Sequence, residues 1–212
     1  MIGIIGGTFD PIHFGHLRPA LEIAEQLSLE EVRFIPSAQP PHRWQPEASA
    51  GQRLDMVKLG IEGTDKFIID DREYQRDGAS YTVDTVASLR SEMGDQKPIC
   101  MIIGADAFQS FTSWHNWQKI LDFTHLVVSS RPGYTLEDGT LSHDLQKWIQ
   151  EHQVDSIQEL QKRAAGKLFF CDVIQLDISA TYIRKQLLKG ESASYLTPQK
   201  VTDYIKQHKL YT

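Results

Sequence analysis

The sequence predicts an α/β fold, with a doubly wound, Rossmann-like and mostly parallel sheet that carries helices on both faces. Two observations support this prediction. Short apolar runs typical of strands alternate along the chain with segments whose apolar residues recur at helical spacing. Residues 99–103 form an unbroken apolar run closed by Gly104, which is typical of a strand buried on both faces at the centre of a parallel sheet. In such sheets, ligands bind at the carboxyl ends of the strands.

The first half of the chain predicts a β-α-β unit. A strand at residues 2–5 is followed by a glycine-containing loop, by a helix at 17–27 with Pro19 in its first turn, and by a strand at 32–35. Such a unit places its two strands parallel with a right-handed crossover. The proline-rich residues 36–51 predict a long loop of the kind that lines binding sites. A helix at 52–61, a strand at 67–70 and a helix at about 82–93 follow.

The second half continues the alternation. After the central strand we predict a tryptophan-rich helix at about 114–121 and a strand at 126–129. Residues 168–171 and 173–176 are strand-like. Ser179 is placed to cap a helix that runs to about residue 189, and Thr197 followed by Pro198 predicts the start of a last helix.

The length of 212 residues predicts a single domain, 1–212, since it suits one α/β domain better than two. Residues at about 136–165 are polar and predict a helical insertion on that domain, and residues at about 179–212 predict a C-terminal helical segment. Hydrophobic residues make up 41% of the chain and charged residues 24%, which excludes the disordered and collagen-like classes.

Charge and cysteine content narrow the expected partners. A net charge of -6 argues against general nucleic-acid binding, which needs a concentrated basic surface, but leaves room for a small phosphorylated ligand. The two cysteines have no metal-ligand spacing and fit a reducing compartment. The N-terminus lacks the features of a signal peptide, and no apolar run approaches a membrane span. We therefore expect a cytoplasmic protein without nucleic-acid or membrane partners, whose oligomeric state the sequence leaves open.

The loop after the first strand carries the main functional signal. Residues 6–16 read GGTFDPIHFGH, which matches neither the GxxxxGK[ST] phosphate loop nor the GxGxxG dinucleotide fingerprint. The glycine pair alone would favour a plain strand-to-helix turn. His13 and His16, however, flank the opening of the next helix, where free backbone N–H groups and the helix dipole favour an anion. This arrangement predicts a phosphate site, and zinc binding by the two histidines stays a minor alternative because no further ligands accompany them.

This stretch resembles the first signature of the HxGH nucleotidyltransferase superfamily, and ISATYIR at residues 178–184 is similar to the second, ISxTxIR. The resemblance implies that the histidine pair grips the triphosphate of a nucleotide and that Arg184 acts on the leaving pyrophosphate. His13, His16 and Arg184 are the catalytic candidates. The ATP-binding candidates are Gly6, Gly7, Thr8, Phe9, His13, His16, Gly104, Asp106, Ile178, Ser179, Thr181 and Arg184.

Further segments resemble the bacterial nicotinate-nucleotide adenylyltransferase family over essentially the whole chain: PPHR at 40–43, SYTVDT at 80–85, GADAF at 104–108, SWHNW around Trp114, and RPGY from Arg131. The resemblance implies that ATP is joined to nicotinate mononucleotide, giving deamido-NAD and pyrophosphate with Mg²⁺. Mg²⁺ is expected to be bound mainly through the ATP phosphates, with no metal ligand predicted on the protein. The acceptor-binding candidates are His42, Arg43, Thr82, Trp114, His115 and Arg131.

Within these candidates, Trp114 resembles the family's tryptophan that stacks on the pyridine ring. Thr82, at a predicted helix start, is placed to bind the nicotinate carboxylate, because the helix dipole suits an anion better than an amide. His115 stands where family members often have tyrosine.

Two alternative functions are kept. One is another adenylyltransferase of the superfamily, with phosphopantetheine or nicotinamide mononucleotide as the acceptor. The other is a nucleotide-binding sensor without turnover, against which the complete set of His13, His16 and Arg184 argues.

Overall fold

A computed structural model describes residues 1–41, 45–131 and 143–212. Within these residues the chain forms a six-stranded sheet with the order β3-β2-β1-β4-β5-β6. All the neighbouring strands pair in parallel, which confirms the predicted fold class. The strands are β1 (Ile2–Gly7), β2 (Val32–Pro36), β3 (Phe67–Ile69), β4 (Ile99–Gly104), β5 (His125–Ser130) and β6 (Leu168–Asp172).

The strand order reverses between β1 and β4. Gly3 of β1 lies opposite Val32 of β2 on one side and Cys100 of β4 on the other. The chain therefore winds away from β1 in one direction through β2 and β3, and away from β4 in the other through β5 and β6. Loops that leave β1 and β4 at their carboxyl ends diverge, so a crevice opens between them.

Helices cover both faces of the sheet: α1 (Phe14–Gln26), α2 (Ala50–Ile61), α3 (Thr82–Met93), α4 (Ala105–Gln109), α5 (Ile120–Phe123), α6 (His143–His152), α7 (Ile157–Gln161), α8 (Ala180–Leu188) and α9 (Gln199–Gln207). The central strand shows how the faces divide. Cys100 and Ile102 of β4 belong to a core shared with α1, α2, α7 and α9. Met101 and Ile103 belong to a second core shared with α3, α4, α5 and α6. Because successive strand residues point to opposite faces, an unbroken apolar run is required here.

The predicted tryptophan-rich helix at 114–121 is wrong. Asn116 adopts a left-handed backbone conformation with φ of 49°, which a right-handed helix does not contain. A 3₁₀ turn at Trp117–Lys119 and the short α5 replace it. Helix α4, which begins directly after β4, was not predicted from the sequence.

The strand predicted at 173–176 is also absent from the structure, because the chain leaves the sheet after β6. Its backbone forms a hydrogen bond with a side chain rather than with a neighbouring strand: the N–H of Ile174 donates to Oε2 of Glu22 at 2.8 Å. Residues 173–178 are irregular chain, and residues 175–178 lie near the carboxyl ends of β1 and β4. The second signature motif, at 178–184, therefore begins near this end of the sheet.

Three helix starts differ from the prediction, one of them in α2, which begins at Ala50 rather than at residue 52. Helix α1 begins at Phe14, so Pro19 lies in its second turn rather than its first. In the last helix, the hydroxyl of Thr197 donates to the carbonyl of Ile12 at 2.6 Å and does not cap α9. Pro198 occupies the N-cap position there. Thr197 thereby ties the C-terminal segment to the loop that carries the histidines.

Of the predicted insertion at 136–165, residues 136–142 lie outside the described residues, and α6 and α7 account for much of the remainder. Among the described helices, none has both the length and the apolar character needed to cross a membrane.

Candidate active site

A cleft of about 1130 Å³ lies at the carboxyl ends of β1 and β4, where the strand order reverses. Candidates from widely separated parts of the sequence line it together. From the ATP-binding set these are Gly6, Gly7, Thr8, His13, His16, Gly104, Asp106, Ile178 and Ser179. From the acceptor set they are Thr82, Trp114, His115 and Arg131. His42 and Arg43 lie outside the described residues.

The two histidines form one unit at the start of α1. Their rings stack with centroids 3.7 Å apart, and the edge of Phe9 packs against His16 at 5.1 Å. Phe9 is buried and is absent from the cleft wall, so the structure places it behind His16 rather than at the ligand surface. The backbone N–H of His13 donates to Nδ1 of His16 at 3.3 Å.

This hydrogen bond selects the tautomer of His16. Because Nδ1 accepts a hydrogen bond from the backbone N–H of His13, a neutral His16 carries its ring proton on Nε2. Burial and the neighbouring His13 lower the pKa of His16 well below its usual value. Burial alone lowers the pKa of His13 to about 4. Both imidazoles are therefore neutral at pH 7 in the free protein, and each holds one N–H donor.

The depressed pKa of His13 predicts acid lability. Well above pH 6.5 the folded and unfolded chains bind the same number of protons at this position, and as the pH falls through 6.5 the unfolded chain binds more, so stability falls as the pH drops towards 4. At pH 5 this loss amounts to about 2 kcal/mol relative to pH 7. We expect His13→Asn to lose less stability than the wild type between pH 7 and pH 5 in urea unfolding. Equal losses for the two proteins would contradict the assignment.

The two signature motifs touch each other at Gly15. A Cβ atom at this position would lie 2.9 Å from the carbonyl oxygen of Ile178 and 2.9 Å from Nδ1 of His13. Only glycine lets the histidine loop and the residue before Ser179 approach this closely. Ser179 in turn caps α8, accepting from the N–H of Tyr182 at 3.1 Å. The starts of α1 and α8 are thus held side by side on the cleft.

Arg184 is not brought into the cleft. Its Nη1 donates to the carbonyl of Asp10 at 2.7 Å and its Nε donates to Oε1 of Glu47 at 2.8 Å. Thr181 is exposed and likewise absent from the cleft wall. The catalytic prediction for Arg184 therefore requires its guanidinium to change partners when a nucleotide binds.

Sequence reasoning missed Asp10, which organises this region. Its carboxylate is buried and accepts from the N–H groups of Glu47 and Ala48 at 2.9 and 3.2 Å and from the hydroxyl of Tyr211 at 2.6 Å. Burial and the bond to Asp10 raise the pKa of Tyr211. One carboxylate thus joins the histidine loop, the loop before α2 and the end of the chain. The TFDP letters contain Asp10, but nothing local indicates these distant donors.

The opposite wall of the cleft carries the acceptor candidates. Thr82 is the first residue of α3, so its backbone lies at the positive end of the helix dipole. Ser80 fixes this end, because its N–H donates to the carbonyl of Gln39 at 2.8 Å while its hydroxyl accepts the N–H of Gln39 at 3.0 Å. The start of α3 is therefore tied to the loop that follows β2.

Aromatic rings line the same cleft as Thr82. The Trp114 ring packs edge-on against Phe111 at 5.5 Å, which holds it at the cleft. Tyr81, which sequence reasoning missed, packs its ring against His115 at 4.4 Å, and both line the cleft. The letters SYT at 80–82 contain Tyr81, and its ring contact with His115 links the two acceptor segments. This wall can take a flat ring together with an anionic substituent.

The described residues hold no group of three or more His, Cys, Asp or Glu side chains arranged to bind a metal ion. The stacked pair of His13 and His16 has no third ligand among them. The geometry of this pair suits hydrogen bonding to phosphate oxygens.

Comparison with known proteins agrees with the fold and shows the family. Residues 4–186 match the family model described as cytidylyltransferase-like. A protein of Klebsiella pneumoniae named as a probable nicotinate-nucleotide adenylyltransferase is 44% identical over 98% of this chain and 95% of its own. A protein of Methylococcus capsulatus with the same name is 45% identical over 100% and 99%. A structure of the Plasmodium falciparum nicotinic acid mononucleotide adenylyltransferase complexed with NaAD superposes with a TM-score of 0.73 at 18% identity, covering 99% of this chain and 96% of that one.

The fold, the stacked histidines and the cleft at the switch point define a nucleotidyltransferase. Within that class, the chain belongs to the nicotinate-nucleotide adenylyltransferase family of cytidylyltransferase-like proteins.

Proposed function

We propose that this protein transfers the adenylyl group of ATP to nicotinate mononucleotide, forming deamido-NAD and pyrophosphate in NAD biosynthesis. One observation carries the proposal: a single cleft at the switch point joins two neutral, stacked histidines at a helix start on one wall to Thr82 and Trp114 on the other. The first wall suits a nucleotide triphosphate and the second suits an aromatic ring with an anionic group. Names of relatives that are 44% and 45% identical support the same reaction.

The reaction needs positioning rather than a base. The phosphate of nicotinate mononucleotide is already ionised near neutral pH, so its oxygen attacks the α-phosphorus of ATP without losing a proton to the protein. A bond forms between that oxygen and the α-phosphorus, the bond from the α-phosphorus to the bridging oxygen of the β-phosphate breaks, and pyrophosphate leaves with that electron pair. Catalysis then rests on alignment and on stabilisation of the charge on the phosphoryl oxygens.

His13 and His16 supply that stabilisation in this proposal. Nδ1 of His16 is engaged by the backbone, which leaves its Nε2–H as the donor to a phosphate oxygen. Nδ1 of His13 is buried against Gly15 without a hydrogen-bond partner, which leaves Nε2 as its ligand-facing nitrogen. Two donors held by ring stacking and by Phe9 need little reorganisation when charge develops.

The remaining candidates take supporting roles. The backbone at Gly6 leaves room for the nucleotide, since a Cβ there would have no neighbour closer than 4.0 Å, whereas a Cβ at Gly7 would lie 3.1 Å from the buried ring of Phe9. Gly104 and Asp106 at the end of β4 lie beside the nucleoside in this arrangement. Arg184 exchanges the half-exposed carboxylate of Glu47 for the pyrophosphate, and such an exposed ion pair costs little to break.

Mg²⁺ is proposed to arrive with ATP, coordinated mainly by the phosphates. It would neutralise the charge of the triphosphate and of the departing pyrophosphate. We place the reaction in a reducing compartment, the cytoplasm, in keeping with two buried cysteines that form no disulfide.

The acceptor panel is the experiment that tests this function. Pyrophosphate release from ATP and Mg²⁺ is measured with nicotinate mononucleotide, nicotinamide mononucleotide and phosphopantetheine side by side. We expect the highest kcat/KM with nicotinate mononucleotide, because the α3 N-terminus at Thr82 favours a carboxylate over an amide. A preference for either of the other two acceptors would contradict the proposed substrate but would still support adenylyl transfer from ATP. ATP binding without pyrophosphate release for any acceptor would favour a sensor.

A further inference from the structure

Arg53 is a buried cation that no part of the proposed mechanism has used. It belongs to the first turn of α2, and only 1% of its surface is exposed. Long helical side chains point towards the N-terminus of their helix. The Arg53 side chain therefore reaches back towards the carboxyl ends of β1 and β2.

Its guanidinium binds backbone carbonyls of two loops at once. Nη1 donates to Thr8 at 2.8 Å and to Ser37 at 2.6 Å, and Nη2 donates to Ala38 at 3.2 Å. Thr8 follows β1, whereas Ser37 and Ala38 follow β2. Both Thr8 and Ser37 line the cleft. One planar fork thus fixes the spacing of the two loops that leave neighbouring strands beside the histidines.

Within residues 1–41, 45–131 and 143–212, the positive charge of Arg53 has no anionic partner. Over the described ranges, no carboxylate lies within ion-pair distance of its guanidinium, and its Nε has no hydrogen-bond partner. A buried charge without an opposite charge beside it is costly even when backbone carbonyls accept its hydrogen bonds. A polyanion that binds in the adjoining cleft would lower the electrostatic cost of burying this cation. The same interaction would strengthen the binding of the polyanion by the same free energy.

We propose that Arg53 is a positioning residue for the ATP phosphates. It sets the separation of the loops at Thr8 and at Ser37, and it supplies a buried positive charge that favours a triphosphate over an uncharged ligand. The inference rests on the proposed function for its choice of ligand. It adds a residue that lies outside both signature motifs and contacts neither substrate directly.

Arg90 provides a matched control. It is buried in the last turn of α3, and its guanidinium also binds only carbonyls: Phe123 at 2.6 Å, Lys97 at 2.7 Å, Gly94 at 2.8 Å and Ala164 at 2.7 Å. These carbonyls precede strands or end α3, so they lie at the opposite end of the sheet from the cleft. A merely structural role for buried arginines predicts the same phenotype at both positions.

The test compares Arg53→Met, Arg53→Lys and Arg90→Met with the wild type. Steady-state KM for ATP and for the acceptor is measured together with the Kd of ATP by calorimetry, at a temperature where circular dichroism shows each variant folded. We expect Arg53→Met to lower kcat/KM for ATP by roughly 10- to 100-fold, mainly through KM, with the acceptor KM unchanged. Arg53→Lys, which keeps the charge but loses the fork, should fall between. Arg90→Met should lose stability and keep the wild-type Kd for ATP.

The outcomes separate cleanly. A wild-type Kd for ATP in Arg53→Met, or equal Kd values in Arg53→Met and Arg90→Met, overturns the proposal. If Arg53→Met fails to fold, Arg53→Lys decides: a weaker Kd for ATP supports the proposal and an unchanged one overturns it. Wild-type protein that binds ATP but forms no product with any acceptor contradicts the proposed function, while the Kd comparison still judges Arg53. Wild-type protein that binds no ATP overturns both.

Discussion

His16→Ala is expected to remain folded and to lose roughly 10²- to 10³-fold in kcat. The imidazole supplies a preorganised N–H donor whose tautomer is fixed by the backbone N–H of His13, and alanine supplies none. Its ring lies between His13 and Phe9, so truncation removes packing at the surface of the cleft rather than in the centre of the core. Turnover is measured as pyrophosphate release with saturating ATP and nicotinate mononucleotide.

The controls for this prediction come from the same chain. His208→Ala removes an exposed histidine that packs on Tyr204 beyond α9, and it should keep wild-type turnover. His13→Ala should resemble His16→Ala, and the double variant should lose little more than either alone, because the stacked rings act as one unit. A folded His16→Ala protein with nearly full activity would rule out the catalytic assignment.

The alternation of apolar runs and amphipathic segments was sufficient to predict the sheet, because a strand that is buried on both faces has an unbroken run of apolar residues in the sequence. The central strand at 99–103 and the helix over 82–93 are the clearest cases, and both are confirmed. Errors arose where a single residue or a distant partner decides the local structure. Asn116 interrupts the expected tryptophan helix, and Glu22 draws Ile174 away from a strand. Neither effect is visible in a local window of sequence.

The candidate site likewise has one part that could be predicted from the sequence and another that could not. The histidine pair, the glycines and Thr82 are grouped by motif, and their places at the carboxyl ends of parallel strands follow from the fold class. The contacts that hold these groups in position connect residues far apart along the chain. Tyr211 reaches Asp10, and Arg184 reaches Glu47. Sequence reasoning found many of the residues that line the cleft, whereas it missed Asp10 and Arg53, which only the folded chain brings into contact with the histidine loop and its neighbours.

Gly15→Ala is expected to show whether the contact between the two signature motifs matters for catalysis as well as for stability. The added methyl group would lie 2.9 Å from the carbonyl oxygen of Ile178, a backbone atom that cannot rotate away. Either the start of α8 or the start of α1 must shift, and both carry groups assigned to the triphosphate. A displacement of about 1 Å costs on the order of 10²-fold in rate when reacting groups are misaligned. We therefore expect kcat/KM for ATP to fall by roughly 10²-fold, with a stability loss of about 1–3 kcal/mol.

Gly51→Ala is the matched substitution, since a Cβ there meets nothing within 4 Å and the residue lies in the first turn of α2. It should be neutral or stabilising, by up to about 1 kcal/mol, with wild-type kinetics. Unfolding in urea and ATP kinetics on both variants distinguish the two positions. Should Gly15→Ala lose stability yet keep wild-type kcat/KM for ATP, the contact between the motifs would be structural only. If kcat/KM for ATP falls in Gly15→Ala by more than its fraction of unfolded protein explains, Gly15 positions the histidine loop against the second motif for catalysis.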